Sequence, residues 1–159
     1  MKTIRVNVGR AAAEAFIADL SGLSVKVGWM ESAKYPDGTP VALVASVQEY
    51  GAAAKGIAPR AFMRRTLAAN EDKWGKLVSR QIKKRLENEE PAHLVFDALG
   101  LSAQGETHKT LSAMGDYPED APVVKRRRSR KKPPPNQSTA ILRDTLTLFN
   151  TMTYVVEKK

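Results

Sequence analysis

Residues 41–67 read VALVASVQEYGAAAKGIAPRAFMRRTL, and the fold turns on this stretch. Val41, Val44, Ala45 and Val47 fill one side of a helix, Gln48 and Glu49 lie near its end, and Gly51 terminates it, since glycine turns a chain out of a helix without steric cost. Three alanines in a row, then Gly56 and Pro59, make Ala52 to Arg60 a loop. Beyond it the helical period returns from about Arg60 to Asn88. Leu67, Trp74, Leu77, Val78, Ile82 and Leu86 form one stripe of this helix, while Lys73, Lys76, Arg80, Lys83, Lys84 and Arg85 lie largely elsewhere. One face should pack and the other is strongly basic.

On the N-terminal side, Val25, Val27, Gly28 and Trp29 read as a strand that runs into the turn signal Tyr35-Pro36-Asp37-Gly38. Ahead of it, Ala12, Phe16 and Leu20, beside Ala13 and Ile17, predict a helix that stops at Ser21 and Gly22. Alternation of Ile4, Val6 and Val8 with Arg5 and Asn7 predicts a short opening strand. On the C-terminal side, Pro91 suits a first helical turn, and Leu94, Val95, Ala98, Leu99 and Leu101 predict a short helix as far as Ser102. Gly115, Pro118, Pro122, a basic run and Pro133-Pro134-Pro135 make 115–137 a mobile loop. Ser138 or Thr139 can cap a further helix with Ile141, Leu142, Thr145, Leu146 and Phe149 on its apolar face. Met152, Tyr154 and Val156 alternate with Thr153 and Val155 as a closing strand. Strands near both ends with helices between predict an α+β fold, with a small antiparallel or mixed sheet completed by the N- and C-terminal strands and packed with a long helix and shorter ones.

The 159 residues fit one domain, and 42% apolar with 27% charged residues is ordinary for a chain that folds. Without cysteine there is no disulfide framework, thiolate metal site or cysteine nucleophile. Arg5, Asn7, Arg10 and Glu14 interrupt what would be the apolar core of a signal peptide, so export by that route is not expected. No stretch approaches the ~20 apolar residues of a membrane span, and no membrane partner is expected.

For catalysis the inventory is poor. His93 and His108 are the only histidines, and neither lies in a spaced set of ligands, so no metal or other cofactor is expected. His93 and Asp97 share a helical face, as an acid/base pair or, more simply, as a surface pair. There is no glycine-rich phosphate loop and no nucleophile elbow, and these residues do not predict an enzyme.

Charge is the stronger signal. The net charge is +9, and Lys125, Arg126, Arg127, Arg128, Arg130, Lys131 and Lys132 place seven cations within eight positions. Without aromatics to stack on bases, contact with DNA would be to phosphate, giving a log-log salt slope of about −6 if all took part. A solvated loop, or one docked on an acidic protein, fits equally.

Two segments carry a family resemblance. In residues 41–67, Glu49-Tyr50-Gly51 ends a helix and Pro59-Arg60-Ala61-Phe62-Met63-Arg64 opens the long one; in 138–156, STAILRDTLTLFNTMTYVV, a helix passes through Phe149-Asn150 into the strand of Tyr154. Together with a strand ending in Val27-Gly28, these resemble the neck, head-tail joining and tail-completion family of tailed phages. That family's pattern has Glu-Tyr-Gly or Glu-Phe-Gly, then an Ile-Pro-x-Arg-Pro-Phe-Met-like lead into a long helix, then Leu-x-x-Thr-Gly-x-Leu-x-x-Ser. This chain departs from it at Ala58 and Ala61, where proline is frequent, at Leu146, where glycine is, and at Thr151, where serine is.

The resemblance implies a structural virion protein that forms a homo-oligomeric ring, a hexamer first and a dodecamer second, joining head connector to tail. It would reside in the virion neck or tail, and in the host cytoplasm during assembly. Its partners would be neighbouring connector and tail proteins, and the run Lys125 to Lys132 would face either packaged DNA, through phosphate contact, or the neighbouring ring of the connector. In this reading Ala52, Ala53, Ala54, Lys55, Gly56, Ile57, Pro59 and Arg60 are an extended intersubunit arm, with Phe62 and Met63 as apolar anchors at its base. Charge reversal at Arg60, or removal of Ala52 to Gly56, should then weaken assembly and leave the fold intact. The alternatives are a tail terminator or minor tail protein and, from another class, a DNA-binding protein without sequence preference.

Overall fold

The structure, a computed structural model, describes residues 8–113 and 147–159. Helix α1 (Arg10–Ser21) leads into strand β1 (Leu23–Trp29), and a turn brings the chain to helix α2 (Val41–Tyr50). A single 3-10 turn (Ala53–Lys55) precedes the long helix α3 (Phe62–Glu87). Helix α4 (His93–Ser112), a short helix α5 (Thr147–Asn150) and strand β2 (Met152–Lys158) complete the described chain. β1 and β2 form a two-stranded antiparallel sheet, and the fold is α+β. Of the predicted opening strand, residues 4–7 lie outside the described residues. So do the loop at 115–137 with its run Lys125 to Lys132, and Ser138, Thr139, Ile141, Leu142, Thr145 and Leu146.

Two compact units share these elements. The first comprises, of the described residues, 8–27, 69–105 and 154–159. Phe16 of α1, Leu86 of α3, and Ala92 with Val95 at the start of α4 form its buried cluster, and Val8, Ala13, Leu20, Leu23, Val78 and Ile82 pack against them. The apolar face of α1 is therefore Ala13, Phe16 and Leu20, the three-and-four spacing of one helical stripe, and Ile17 is exposed. The α3–α4 turn is closed by an ion pair between Arg85 and Glu90. Lys26 and Glu157 pair across the sheet, and Lys159 N donates to Gly22 O at 2.8 Å.

Gly100, on α4, lies against β2. A Cβ there would sit 2.3 Å from the Tyr154 ring, so the absent side chain is what lets the aromatic pack on the helix. Sequence reasoning ends α4 at Ser102, yet it runs ten residues further. Gly100 and Gly105 read as punctuation, but Ala103, Thr107 and Leu111 are buried at four-residue spacing and carry the packed face onward. Leu101, predicted to be apolar surface, is exposed.

The second unit comprises, of the described residues, 28–68, 106–113 and 147–153. Val41, Ala45, Phe62, Leu111, Leu148 and Met152 are its buried apolar side chains. Trp29 meets Phe62 edge to face, with ring centroids 5.9 Å apart, and its Nε1 donates to Leu148 O at 2.7 Å. The Thr66 and Thr110 hydroxyls lie 2.7 Å apart, joining α3 to α4. The turn at residues 35–38 forms as expected: Gly38 N donates to Tyr35 O at 2.9 Å, and Asp37 Oδ1 accepts from Thr39 N at 3.0 Å. Leu67, read as part of the packing stripe of α3, is exposed.

Candidate functional site

The segment 48–64 is a built junction between two helix ends. A helix leaves its last carbonyls and its first amides without internal partners, and here each end satisfies the other. Gln48 O accepts from Arg60 N at 2.8 Å, and Glu49 O accepts from Ala61 N at 3.2 Å and from Arg64 Nη2 at 3.0 Å. In the opposite direction, the Glu49 carboxylate reaches the start of α3. Met63 N donates to Oε2 at 2.9 Å and Arg64 N to Oε1 at 3.2 Å. Arg64 Nε adds a charge-assisted bond to Oε1 at 2.8 Å.

Ala61 stands at the cap position of α3 and has no side-chain acceptor to offer. Glu49 supplies it instead from another helix, placing a negative charge where the helix dipole favours one. Glu49 is only 4% exposed. It completes the stripe Val41, Ala45, Glu49 at four-residue spacing, so α2 presents its carboxylate from the buried side. In the sequence Glu49 reads as a residue near a helix end and as part of Glu49-Tyr50-Gly51, with no buried partner expected for it. The usable signal was an acid in phase with two core positions, a place where a carboxylate survives only with partners.

Backbone geometry between the helices is tight. Gly51 has φ 78, and a Cβ there would meet Pro59 N at 2.8 Å and Ile57 O at 2.9 Å. Ala61 has φ 46, a left-handed value for a residue with a side chain. Proline, frequent at this place in the family pattern, is fixed near φ −65 and cannot adopt it.

The predicted extended arm is instead folded on itself. Ala52 and Ile57 pair as an antiparallel bridge, Ala52 N donating to Ile57 O at 2.8 Å and Ile57 N to Ala52 O at 3.1 Å. Lys55 N donates to Ala52 O at 2.9 Å, and Gly56 takes the left-handed conformation that closes the turn. The small side chains that suggested an arm are what a closed turn needs. Ala53, Ala54, Lys55 and Gly56 form its exposed tip, and Pro59 is exposed as well. Ala52, Ile57 and Met63 are half-buried. Arg60, 4% exposed with its guanidinium on the Gln48 side-chain oxygen, and the fully buried Phe62 are interior, so neither is a surface that a second copy could reach.

The surface of this unit carries its own apolar residues. Leu43 and Tyr50 lie seven positions apart, on one face of α2, and both are exposed, Tyr50 at 66%. The Arg64 guanidinium stands 5.0 Å from the Tyr50 ring centroid, a cation-π contact at the surface. Elsewhere in the unit, His108 stacks on Phe149 with centroids 4.3 Å apart and donates from Nε2 to Phe149 O at 3.0 Å. That histidine is held in place by an aromatic and a carbonyl. His93 and Asp97 sit 3.9 Å apart on the exposed side of α4, a surface pair. Among the described residues no group of three His, Cys, Asp or Glu side chains could hold a metal ion, and no helix is long and apolar enough to cross a membrane.

What fold and site define is an α+β protein whose most elaborated feature is a mutual capping of two helices, with an aromatic and a cation displayed beside it. Compared with protein-family models, curated proteins and solved structures, the chain finds no match.

Proposed function

We propose that this chain is a structural protein of a tailed phage, assembled as a homo-oligomeric ring at the neck, where it joins the head connector to the tail. Its work is docking, not turnover. The observation that supports this reading is a convergence. The segments that carry the family resemblance are far apart in the chain: the strand end at Val27-Gly28, the run from Glu49 to Arg64, and the passage through Phe149-Asn150. Trp29, directly after the first of these, connects the other two in the second unit: its ring meets Phe62 and its Nε1 donates to Leu148 O, while Glu49 accepts from the amides of Met63 and Arg64.

The exposed Tyr50, Leu43 and Arg64 add a surface of the composition that protein interfaces favour. A ring subunit needs such a patch on a rigid element, and the capped α2–α3 junction supplies the rigidity.

The test is the mass of the purified chain in solution and its presence in purified particles. A hexameric or dodecameric ring, found also in particles, is the expected result. Tyr50→Glu should shift the ring to monomer while circular dichroism remains that of the folded chain. A chain that stays monomeric at every concentration and is missing from purified particles would overturn the proposal.

A further inference from the structure

Helix α3 passes through the first unit with Val78, Ile82 and Leu86 on the core. At about 100° per residue, Lys73, Lys76, Arg80, Lys83 and Lys84 fall within an arc of roughly a third of the helix circumference, centred opposite those three residues. All five are exposed. With a rise of about 1.5 Å per residue they form a straight stripe about 16 Å long.

Its acids are few. Glu87 lies 3.8 Å from Lys83 at the far end, and Asp72 stands at the near edge. Among the described residues Lys76, Arg80 and Lys84 have no carboxylate within ion-pair distance. No aromatic side chain falls in the arc, so nothing there can stack on a base.

We infer that this stripe binds the phosphate backbone of duplex nucleic acid without reading its sequence. The reasoning is charge density in one direction. Five cations in line on a rigid helix repel each other and complement a partner whose negative charge also runs in line. A duplex carries a charge for about every 1.7 Å of axis, so a stripe-length segment presents about ten. Carboxylates on a folded protein reach that linear density only against their own repulsion. Lysine, four of the five, is a flexible point charge that suits phosphates of varying position. The stripe is separate from the run at Lys125 to Lys132 and does not depend on the neck reading, because a ring subunit and a free DNA-binding protein could both use it.

The experiment measures binding of the full chain to a short labelled duplex of mixed sequence across about 50 to 200 mM salt. The stripe variant is Lys76→Gln, Arg80→Gln, Lys84→Gln. A charge-matched control carries Lys26→Gln, Lys34→Gln, Lys158→Gln, all exposed and on other segments. The stripe variant should flatten the log-log salt slope by about 2.7, three contacts at about 0.9 each, with affinity falling by two to three orders of magnitude at about 0.1 M salt. The control should stay close to wild type. The swap Lys76→Arg, Arg80→Lys, Lys84→Arg should retain binding, and unchanged circular dichroism and melting show that each variant is folded.

Equal losses in stripe and control variants would mean diffuse attraction by net charge and would overturn the assignment. So would an unchanged slope in the stripe variant. Loss of binding to poly-glutamate in that variant, with duplex binding kept, would make the stripe a docking face for an acidic protein and overturn it as well.

Discussion

Removing the Glu49 carboxylate tests the central physical feature of this molecule, the capping of one helix by another. In Glu49→Ala, the amides of Met63 and Arg64 lose their acceptor at a site whose carboxylate side chain is only 6% exposed. Each buried donor left unpartnered costs about 1 to 1.5 kcal/mol. The Arg64 ion pair adds little, about 0.5 kcal/mol, because that side chain is 57% exposed and water replaces the partner. Lost packing of the methylenes contributes roughly 1 kcal/mol more, for a total of about 3.5 to 4.5 kcal/mol. Glu49→Gln keeps the shape and one acceptor oxygen but turns an amide donor towards a backbone donor, and should cost about 2 kcal/mol. Urea unfolding followed by circular dichroism reads this directly. With a slope near 2 kcal/mol per M, the alanine variant should unfold about 1.8 to 2.2 M earlier. Arg64→Ala should cost less than about 1 kcal/mol. If both Glu49 variants lie within about 0.5 kcal/mol of wild type, the carboxylate does not cap α3 and the reasoning fails.

Further outcomes are expected at Gly100, Ala61, Arg60 and Lys55. Gly100→Ala should destabilise by about 1 to 3 kcal/mol despite the better helix propensity of alanine, since the new Cβ displaces the Tyr154 ring, and near-ultraviolet circular dichroism should change; net stabilisation would mean that the ring does not lie there. Ala61→Gly should be within about 0.5 kcal/mol of neutral, as relief of the left-handed strain offsets the added freedom of the unfolded chain. Ala61→Pro should cost about 3 kcal/mol or more, because the ring excludes that φ and removes the N–H donated to Glu49 O, and a proline variant of normal melting temperature would contradict the observed start of α3. Arg60→Glu should cost about 3 kcal/mol or more by burying an acid beside Gln48 and Glu49, whereas Lys55→Glu at the exposed loop tip should change stability by less than about 0.5 kcal/mol in the same urea assay. The expectation that reversing Arg60 would spare the fold came from reading Arg60 as part of a surface arm, and its burial withdraws it.

By itself the sequence determined the elements whose signals are local. Helix α2 begins and ends at Val41 and Tyr50 as its period and Gly51 require, and β2 follows the alternation of Met152, Tyr154 and Val156. The basic stripe of α3 is equally legible, because helical phase depends only on residues within a turn or two of one another. Tertiary structure alone decided what those faces meet. Ile17, Leu67 and Leu101 fit their helical stripes and are exposed, while Glu49 and Arg60, charged and apparently superficial, are interior. Helix α4 continues through Gly100 because Tyr154, more than fifty positions away, occupies the space of the missing side chain. The loop at Ala52 to Ile57 closes because Gly51 and Gly56 turn it and Pro59 packs against Gly51. In each case the deciding energy belongs to a partner distant along the chain, a burial or a hydrogen bond that local period and composition do not contain.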